Sequence, residues 1–305
     1  MKISHFSAFF ALSLMALQGC TSLPAKQSAP NWQVATMLNS HEKVVYSSHT
    51  NKHYLIQVAT IGKKPANGYP IIYVLDGNAF FGVATSIAQM NHDKPSEKNP
   101  KSLMVVGIGY TTGRAFDIPN RTHDYTPPSK SYPTPKGEQT AFGGADYFHA
   151  FIADELEPML DKEFGINPNH RTLIGHSYGG LFGLYLLMAR SESFDNYVIA
   201  SPSIWWNDKS ILTHQNGIIA TPNVKNILIT LGEHELNARH RNPNTPTTLE
   251  NSNAYLMSEF LKNKLPHTNV TFHFNPNQSH GENAYPSIIQ GVNMAYQACK
   301  ADSNC

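Results

Sequence analysis

The sequence predicts one α/β domain, residues 36–305, with a mostly parallel central sheet and helices on both faces. Apolar runs alternate along the chain with segments of helical periodicity, which is the order of a parallel sheet joined by crossover helices. Several of these runs carry no charged residue, as expected for strands buried on both faces. One run leads through a glycine-flanked turn at Ser177 directly into an apolar helix.

The predicted sheet begins with two strands, 43–46 and 53–61, which a polar turn joins into an antiparallel pair. Short apolar runs bounded by turn residues then predict parallel strands. These runs lie at 69–75, 103–109, 171–174, 197–200, 226–231 and 270–274.

Helical spacing of apolar residues predicts the segments that connect these strands. Residues 146–164, for example, place Phe148, Phe151 and Ile152 on one face. Further helices are predicted at 180–189, 253–265 and 284–299. The segment 111–144 has five prolines and little periodicity, so we predict a long loop on the side of the sheet where ligands bind.

Charge and composition exclude some classes of partner. The formal charge of +1 and the pI of about 7.8 provide no strong field for a phosphate backbone, so we expect no nucleic-acid partner. The chain has 15 histidines, but no histidine or cysteine spacing typical of metal ligands occurs in a helical context. We therefore expect no metal site and no cofactor.

The first twenty residues have the pattern of an export signal. Lys2 is followed by an apolar stretch, and the ending Leu17-Gln-Gly-Cys20 resembles the lipobox of bacterial lipoproteins. We therefore expect a signal peptide over 1–19, a lipid on Cys20, a flexible tether over 20–35 and a location at the periplasmic face of a membrane. The alternative is a soluble periplasmic or secreted protein. In such a compartment the remaining cysteines, Cys299 and Cys305, can form a disulfide that pins the C-terminal tail.

The motif Gly175-His-Ser-Tyr-Gly179 carries the strongest functional signal. A strand before it and a helix after it indicate a sharp turn that strains the serine backbone and exposes the hydroxyl at the edge of the sheet. The bare pattern also occurs by chance in helix-capping turns, but its flanking elements favour Ser177 as a nucleophile.

A nucleophilic serine needs a histidine as its base, and usually an acid that orients the histidine. In the α/β-hydrolase fold the order along the chain is serine, acid, histidine. His280 follows the last predicted strand, where that base is expected. Five histidines in presumed helices, strands or early loops are weaker candidates: His214, His234, His240, His267 and His273.

Two carboxylates follow the predicted strand 226–231. We choose Glu235 as the acid, because the chain should have turned toward the histidine loop three residues past Gly232. Glu233 is the alternative, and a serine–histidine dyad without either acid also remains open. For the oxyanion, the backbone N–H of Tyr178 is one expected donor, and that of Asn78, after the strand 69–75, is the other.

Six motifs follow one another along the chain: Val74-Leu-Asp-Gly-Asn78, Val106-Gly-Ile-Gly-Tyr110, Arg121-Thr-His-Asp-Tyr-Thr-Pro127, Gly143-Gly-Ala-Asp146, Gly175-His-Ser-Tyr-Gly-Gly180 and Ala200-Ser-Pro-Ser-Ile-Trp-Trp206. Together they resemble the putative esterase family of α/β-hydrolases, in particular its branch of periplasmic siderophore trilactone esterases. The resemblance implies a serine and a histidine matching Ser177 and His280, and oxyanion donors matching Asn78 and Tyr178. It indicates the class of reaction more specifically than it indicates the ligand.

Side chains near the expected site suggest the kind of substrate. Trp205 and Trp206 follow a strand end and can stack on an aromatic acyl group, with core packing as the alternative for one of them. Arg121 can attract an anionic substrate such as a ferric catecholate siderophore, or can form a structural ion pair with Asp124.

The sequence therefore predicts a serine esterase that cleaves a small-molecule ester or lactone through an acyl-enzyme. Two other functions remain open. One is an acyltransferase of the same fold, in which an alcohol replaces water. The other is a lipoprotein that binds a siderophore or a partner without catalysis, although a pure binder needs no serine on a strained turn.

Overall fold

A single eight-stranded sheet organises the chain. The computed structural model describes residue 37 and residues 39–133, 141–218, 223–237 and 247–305, which belong to one compact unit, Met37–Cys305. The export signal, Cys20, the tether and His240 lie outside the described residues. The strands are β1 Ser40–Ser47, β2 Lys52–Ile61, β3 Tyr69–Leu75, β4 Leu103–Tyr110, β5 Ile166–His176, β6 Asn196–Ala200, β7 Asn226–Gly232 and β8 Asn269–Asn275.

The sheet has the order β1-β2-β4-β3-β5-β6-β7-β8. The first two strands form an antiparallel pair, β2 also runs antiparallel to β4, and every pairing from β4 to β8 is parallel. Strands β3, β4 and β6 are buried along their whole length, as their apolar runs predict. The predicted fold class, an α/β protein with a mostly parallel sheet, is confirmed.

Helices cover both faces of the sheet. They are α1 Gly77–His92, α2 Ile118–Tyr125, α3 Ala145–Ala150, α4 Glu157–Phe164, α5 Tyr178–Ala189, α6 Trp206–Lys209, α7 Asn253–Lys264 and α8 Ala284–Ala301. A π-helical segment, Phe151–Leu156, connects α3 to α4, so the predicted helix 146–164 is present with an irregular centre.

Two hydrophobic cores lie on opposite faces of the sheet. One core packs α1 and α8 against strand residues such as Val74, Ile174 and Val198. The other packs α3, α5 and α7 against the alternate residues of the same strands, among them Leu173 and Tyr197. The alternation follows from the two-residue period of side chains along a strand.

The predicted long loop over 111–144 is wrong in part, because it contains the helix α2. Asp117 caps the N-terminus of α2 by accepting a hydrogen bond from the Asn120 N–H at 3.1 Å. The side chains that α2 buries are largely polar, including Arg121 and Asp124, so no stripe of apolar residues marks the helix in the sequence. The helix α1, which directly follows β3, was not predicted either.

A disulfide joins Cys299, in the last turn of α8, to Cys305 in the tail beyond the helix. The carbonyl oxygen of Asn304 then accepts hydrogen bonds from the side chains of Asn67 and Asn167, which hold the tail against the sheet. Within the described residues, no helix is both long and apolar enough to cross a membrane. The same part of the chain contains no cluster of histidine, cysteine, aspartate or glutamate suited to a metal ion.

Candidate active site

Ser177 occupies the turn between β5 and α5, with φ 60° and ψ −115°. This conformation is unfavourable for a residue with a side chain and persists only where the surroundings hold it. Its N–H donates to the Ala200 carbonyl at 3.0 Å, and its carbonyl accepts from the N–H of Leu181 at 2.9 Å and of Ser203 at 3.2 Å. A Cβ at Gly175 would collide with the Gly179 carbonyl, so glycine is required there.

Ser177, His280 and Glu235 form a continuous hydrogen-bonded chain. The Ser177 Oγ lies 2.9 Å from His280 Nε2, and His280 Nδ1 lies 2.7 Å from Glu235 Oε2. These three residues follow three different parallel strands, β5, β8 and β7, whose carboxyl ends meet at one edge of the sheet. The arrangement has the geometry of a nucleophile, a base and an orienting acid.

Glu235 is held as a carboxylate in a nearly buried position, 9% exposed. Its Oε1 accepts hydrogen bonds from the Ser201 hydroxyl at 2.6 Å and the Gly232 N–H at 2.7 Å. Burial alone raises the pKa of Glu235, but hydrogen bonds from His280, Ser201 and Gly232 outweigh burial and hold the pKa below its usual value. A negative charge beside His280 is therefore maintained at neutral pH.

Glu233, the alternative acid, has a different role. Its carboxylate accepts a hydrogen bond from the Asn277 N–H at 2.8 Å, on the turn after β8. Between the two candidates, Glu235 is the residue that the structure brings to His280.

A buried polar network lies behind Glu235 and was missed in the sequence. The Asn283 amide donates to Ser201 Oγ at 2.7 Å and to Thr230 Oγ1 at 3.1 Å, and Asn275 donates to Asn283 at 2.7 Å. Ser201 then donates to Glu235. A chain of hydrogen-bond donors therefore fixes the carboxylate of Glu235. In the sequence, the position of Ser201 directly after a predicted strand was the only indication of this network.

His176, which precedes the serine, supports the histidine loop. Its Nε2 lies 2.7 Å from the His280 carbonyl oxygen, and since a carbonyl only accepts, His176 Nε2 carries the proton. Burial and the neighbouring His280 lower the pKa of His176 to about 3, so its ring stays neutral. In the sequence, His176 stands out only as part of the motif around Ser177.

The two expected oxyanion donors follow adjacent parallel strands. Asn78 lies in the first turn of α1, and its side chain exchanges two hydrogen bonds with the backbone of Tyr110, at 2.7 and 3.0 Å. Tyr178 is the first residue of α5. Asp76, between β3 and α1, has φ 53° and is 2% exposed, so the loop that leads to Asn78 is also conformationally constrained.

Arg121 forms a structural ion pair, which was one of its two predicted roles, but with a different partner, and the prediction that it attracts substrate is wrong. Its side chain is only 8% exposed, and its Nε and Nη2 donate to the two oxygens of Asp76 at 2.8 and 2.9 Å, so the guanidinium is not available to a substrate. Its partner is not Asp124, which instead accepts hydrogen bonds from Lys52, Tyr54 and Tyr110. A buried bidentate pair has a structural role.

The two tryptophans differ in exposure. Trp206 is 1% exposed and packs against Tyr132 and Phe142, so it belongs to the core and the prediction that it contacts substrate is wrong. Trp205 is 57% exposed and its ring lies 6.2 Å from that of Tyr178. Trp205 therefore remains a candidate for substrate contact.

Other aromatic side chains lie near the turn that carries Ser177. Phe80 lies between the rings of Phe116, at 5.6 Å, and Tyr285, at 6.1 Å, and also contacts His176 edge-on. Phe116 and Tyr285 are 39% and 52% exposed. Phe116, Trp205 and Tyr285 together form an exposed aromatic border of the site, of which the sequence indicated only Trp205.

The sheet order, the helices on both faces and the position of Ser177 after β5 define an α/β-hydrolase fold. A model of the family described as "Putative esterase" matches residues 47–286, and the chain belongs to this esterase family, which confirms the resemblance found in the sequence.

Three relatives illustrate the similarity. The chain is 34% identical to the ferri-bacillibactin esterase BesA of Bacillus subtilis over 218 residues, which cover 70% of this chain and 73% of the relative. The crystal structure of the BES protein from Bacillus cereus has a TM-score of 0.74 at 29% identity, over 88% of this chain and 98% of that one. The enterobactin hydrolase IroE, solved as a complex with DFP, has a TM-score of 0.65 at 25% identity, over 84% of this chain and 94% of that one.

Proposed function

We propose that this protein is a serine esterase that cleaves the ester or lactone bonds of a siderophore through an acyl-enzyme. The observation that carries the proposal is the hydrogen-bonded chain from Ser177 through His280 to Glu235. The names of the relatives support the substrate class, since BesA is a ferri-bacillibactin esterase and IroE an enterobactin hydrolase.

In the proposed reaction, Ser177 Oγ attacks the ester carbonyl carbon while its proton passes to His280 Nε2. The backbone N–H groups of Asn78 and Tyr178 stabilise the oxyanion that forms. His280 then gives the proton to the leaving alcohol, and an acyl-enzyme remains. Water attacks the acyl-enzyme with His280 as the base, and the carboxylic acid leaves as Ser177 is restored. Glu235 holds the imidazole and stabilises its positive charge in both steps.

The aromatic border supports a substrate with aromatic acyl groups. Phe116, Trp205 and Tyr285 have exposed rings. Phe116 and Tyr285 flank Phe80, which contacts His176, and Trp205 lies beside Tyr178. Such rings stack on planar groups such as catechols at low entropic cost. We therefore assign the border, instead of Arg121, to recognition of the acyl part.

We further propose that the enzyme is exported and tethered to a membrane by a lipid on Cys20. The sequence pattern around Cys20 and the disulfide between Cys299 and Cys305 support this location, because disulfides persist in oxidising compartments. Membrane fractionation of the wild-type chain and the Cys20→Ser variant tests the tether. Release of the variant alone from the membrane is expected, and equal fractionation of both forms contradicts the lipid anchor.

The central test uses protein that begins after Cys20, with p-nitrophenyl butyrate, enterobactin and ferric enterobactin as substrates. Hydrolysis and labelling by a fluorophosphonate are expected for the wild type and not for Ser177→Ala. Ser258→Ala is the matched control, since Ser258 is buried in α7 and donates to the Tyr255 carbonyl.

The other possible outcomes point to other functions. Turnover of p-nitrophenyl butyrate without turnover of either siderophore would indicate a different ester substrate. Transfer of the acyl group to an added alcohol in preference to water would indicate an acyltransferase. Absence of both fluorophosphonate labelling and ester hydrolysis contradicts the proposal that the protein is an enzyme.

A further inference from the structure

Ser203 is a buried hydroxyl residue in direct contact with the proposed nucleophile. It is 1% exposed, and its Oγ lies 3.2 Å from Ser177 Oγ. Its backbone is fixed as well, because its N–H donates to the Ser177 carbonyl and its carbonyl accepts from the Trp206 N–H at 3.0 Å. The contact between the two serine hydroxyls is therefore held by the backbone on which both serines lie.

The hydrogen-bond network determines which serine is the donor. Glu235 is a carboxylate, so it can only accept, and His280 Nδ1 must carry the proton between them. His280 Nε2 is then the acceptor for the single proton of Ser177. Ser177 Oγ has no second proton to give, and the Ser203 hydroxyl must donate to Ser177 Oγ.

We propose that Ser203 is a further catalytic residue whose hydroxyl donates a hydrogen bond to Ser177 Oγ and accelerates deacylation. This inference rests on the proposed serine-esterase function. During deacylation, a water oxygen bonds to the acyl carbon and its proton passes to His280. The bond from that carbon to Ser177 Oγ then breaks, His280 returns the proton to Oγ, and the carboxylic acid leaves. Ser203 gives up no proton and contributes only the hydrogen bond.

The effect is larger on deacylation than on acylation because the acceptor oxygen changes character. In the free enzyme Ser177 Oγ is an alcohol oxygen, which accepts a hydrogen bond about as well before attack as in the tetrahedral state. In the acyl-enzyme it is the bridging oxygen of an ester, a poor acceptor because its lone pair is delocalised into the carbonyl group. The hydrogen bond from Ser203 strengthens as that delocalisation is lost, and only interactions that strengthen toward the transition state accelerate a step.

The test compares Ser203→Ala and Ser203→Cys with the wild type on p-nitrophenyl butyrate. Stopped-flow release of p-nitrophenol gives the acylation rate, and intact mass spectrometry after acid quench gives the acylated fraction at steady state. For Ser203→Ala we expect deacylation to slow about tenfold, acylation to change less than about twofold, and the acylated fraction to rise. The cysteine variant, a weaker donor of similar size, should fall between alanine and serine.

Ser258→Ala serves as the matched control for loss of a buried hydroxyl, and thermal unfolding checks that each variant is folded. The inference is overturned if Ser203→Ala leaves deacylation unchanged, or if acylation slows as much as deacylation. A wild-type enzyme that forms no acyl-enzyme and resists the fluorophosphonate instead contradicts the proposed function itself. If Ser203→Ala is unfolded, the cysteine variant decides, and deacylation equal to the wild type then counts against the role of Ser203.

Discussion

Arg121 holds Asp76 through two parallel hydrogen bonds, from Nε to Oδ1 and from Nη2 to Oδ2, inside the protein. The same guanidinium lies 5.7 Å from the ring centre of Tyr178 and 3.5 Å from the His176 carbonyl oxygen. Asp76 connects β3 to α1, whose first turn carries Asn78, and Tyr178 follows Ser177. Arg121 therefore connects the two segments that carry the proposed oxyanion donors.

Replacement of Arg121 by lysine should lower kcat by about 10- to 100-fold with a smaller change in KM, because lysine cannot reproduce the bidentate contact that aligns the two donors. Kinetics on p-nitrophenyl butyrate measure this split. Arg190→Lys is the control, since Arg190 is half exposed and its ion pair with Asp146 has an N to O distance of 3.7 Å. A rise in KM at unchanged kcat would instead return Arg121 to a role in substrate binding.

Glutamine substitutions separate the two acids. Glu235→Gln removes the charge that stabilises the His280 imidazolium and should reduce kcat by about two to four orders of magnitude. Glu233→Gln keeps an acceptor for the Asn277 N–H and should stay within about twofold of the wild type. Steady-state kinetics of both variants on one ester provide the measurement. Equal losses of kcat in the two variants would mean that these glutamates act by holding the turn after β8, and that Glu235 does not act through His280.

The neutral ring of His176 makes stability depend on pH. Its pKa is about 3 in the folded protein and near 6.5 when unfolded, so between these values the unfolded chain binds the extra proton. Stability is therefore full above about pH 6.5 and falls as the pH decreases, by up to about 1.4 kcal/mol per pH unit. Urea unfolding from pH 7 to pH 4 should show a shallower decline for His176→Gln. Identical slopes in the two proteins would contradict this assignment.

Alanine substitutions should separate the adjacent tryptophans. Trp205→Ala should raise KM for aryl esters several-fold with little change in Tm, because an exposed ring is lost. Trp206→Ala should lower the free energy of unfolding by about 3–5 kcal/mol, since it empties a packed site between Tyr132 and Phe142. Kinetics on aryl and alkyl esters, with denaturant unfolding, check both. An unchanged KM for Trp205→Ala would remove it from the proposed border.

The sequence allowed the fold and the relation of Ser177 to His280 to be predicted, because both depend on local patterns: a glycine-flanked turn after an apolar strand and a histidine after the last strand. Arg121 was misjudged because its partner, Asp76, is distant in the sequence and a charged residue in a polar segment gives no sign of burial. The helix α2 was missed because the side chains that it buries are largely polar. The roles of Ser203 and Asn283 could not be predicted, because Ser203 contacts Ser177 after a neighbouring strand and Asn283, at the start of α8, contacts Ser201 after β6, and only the folded structure brings these residues together.

Among the described residues, the backbone of Ser177 forms hydrogen bonds with Leu181 in its own helix, with Ala200 in β6 and with Ser203 in the turn that follows β6. The bonds that hold Ser177 are made by main-chain atoms, whereas the rings of Phe116, Trp205 and Tyr285 are exposed side chains. The proposed nucleophile and the aromatic border can therefore change independently during evolution. A lineage can acquire a new ester by replacing exposed rings while the strained serine is inherited unaltered, so specificity in this fold is expected to diverge faster than chemistry.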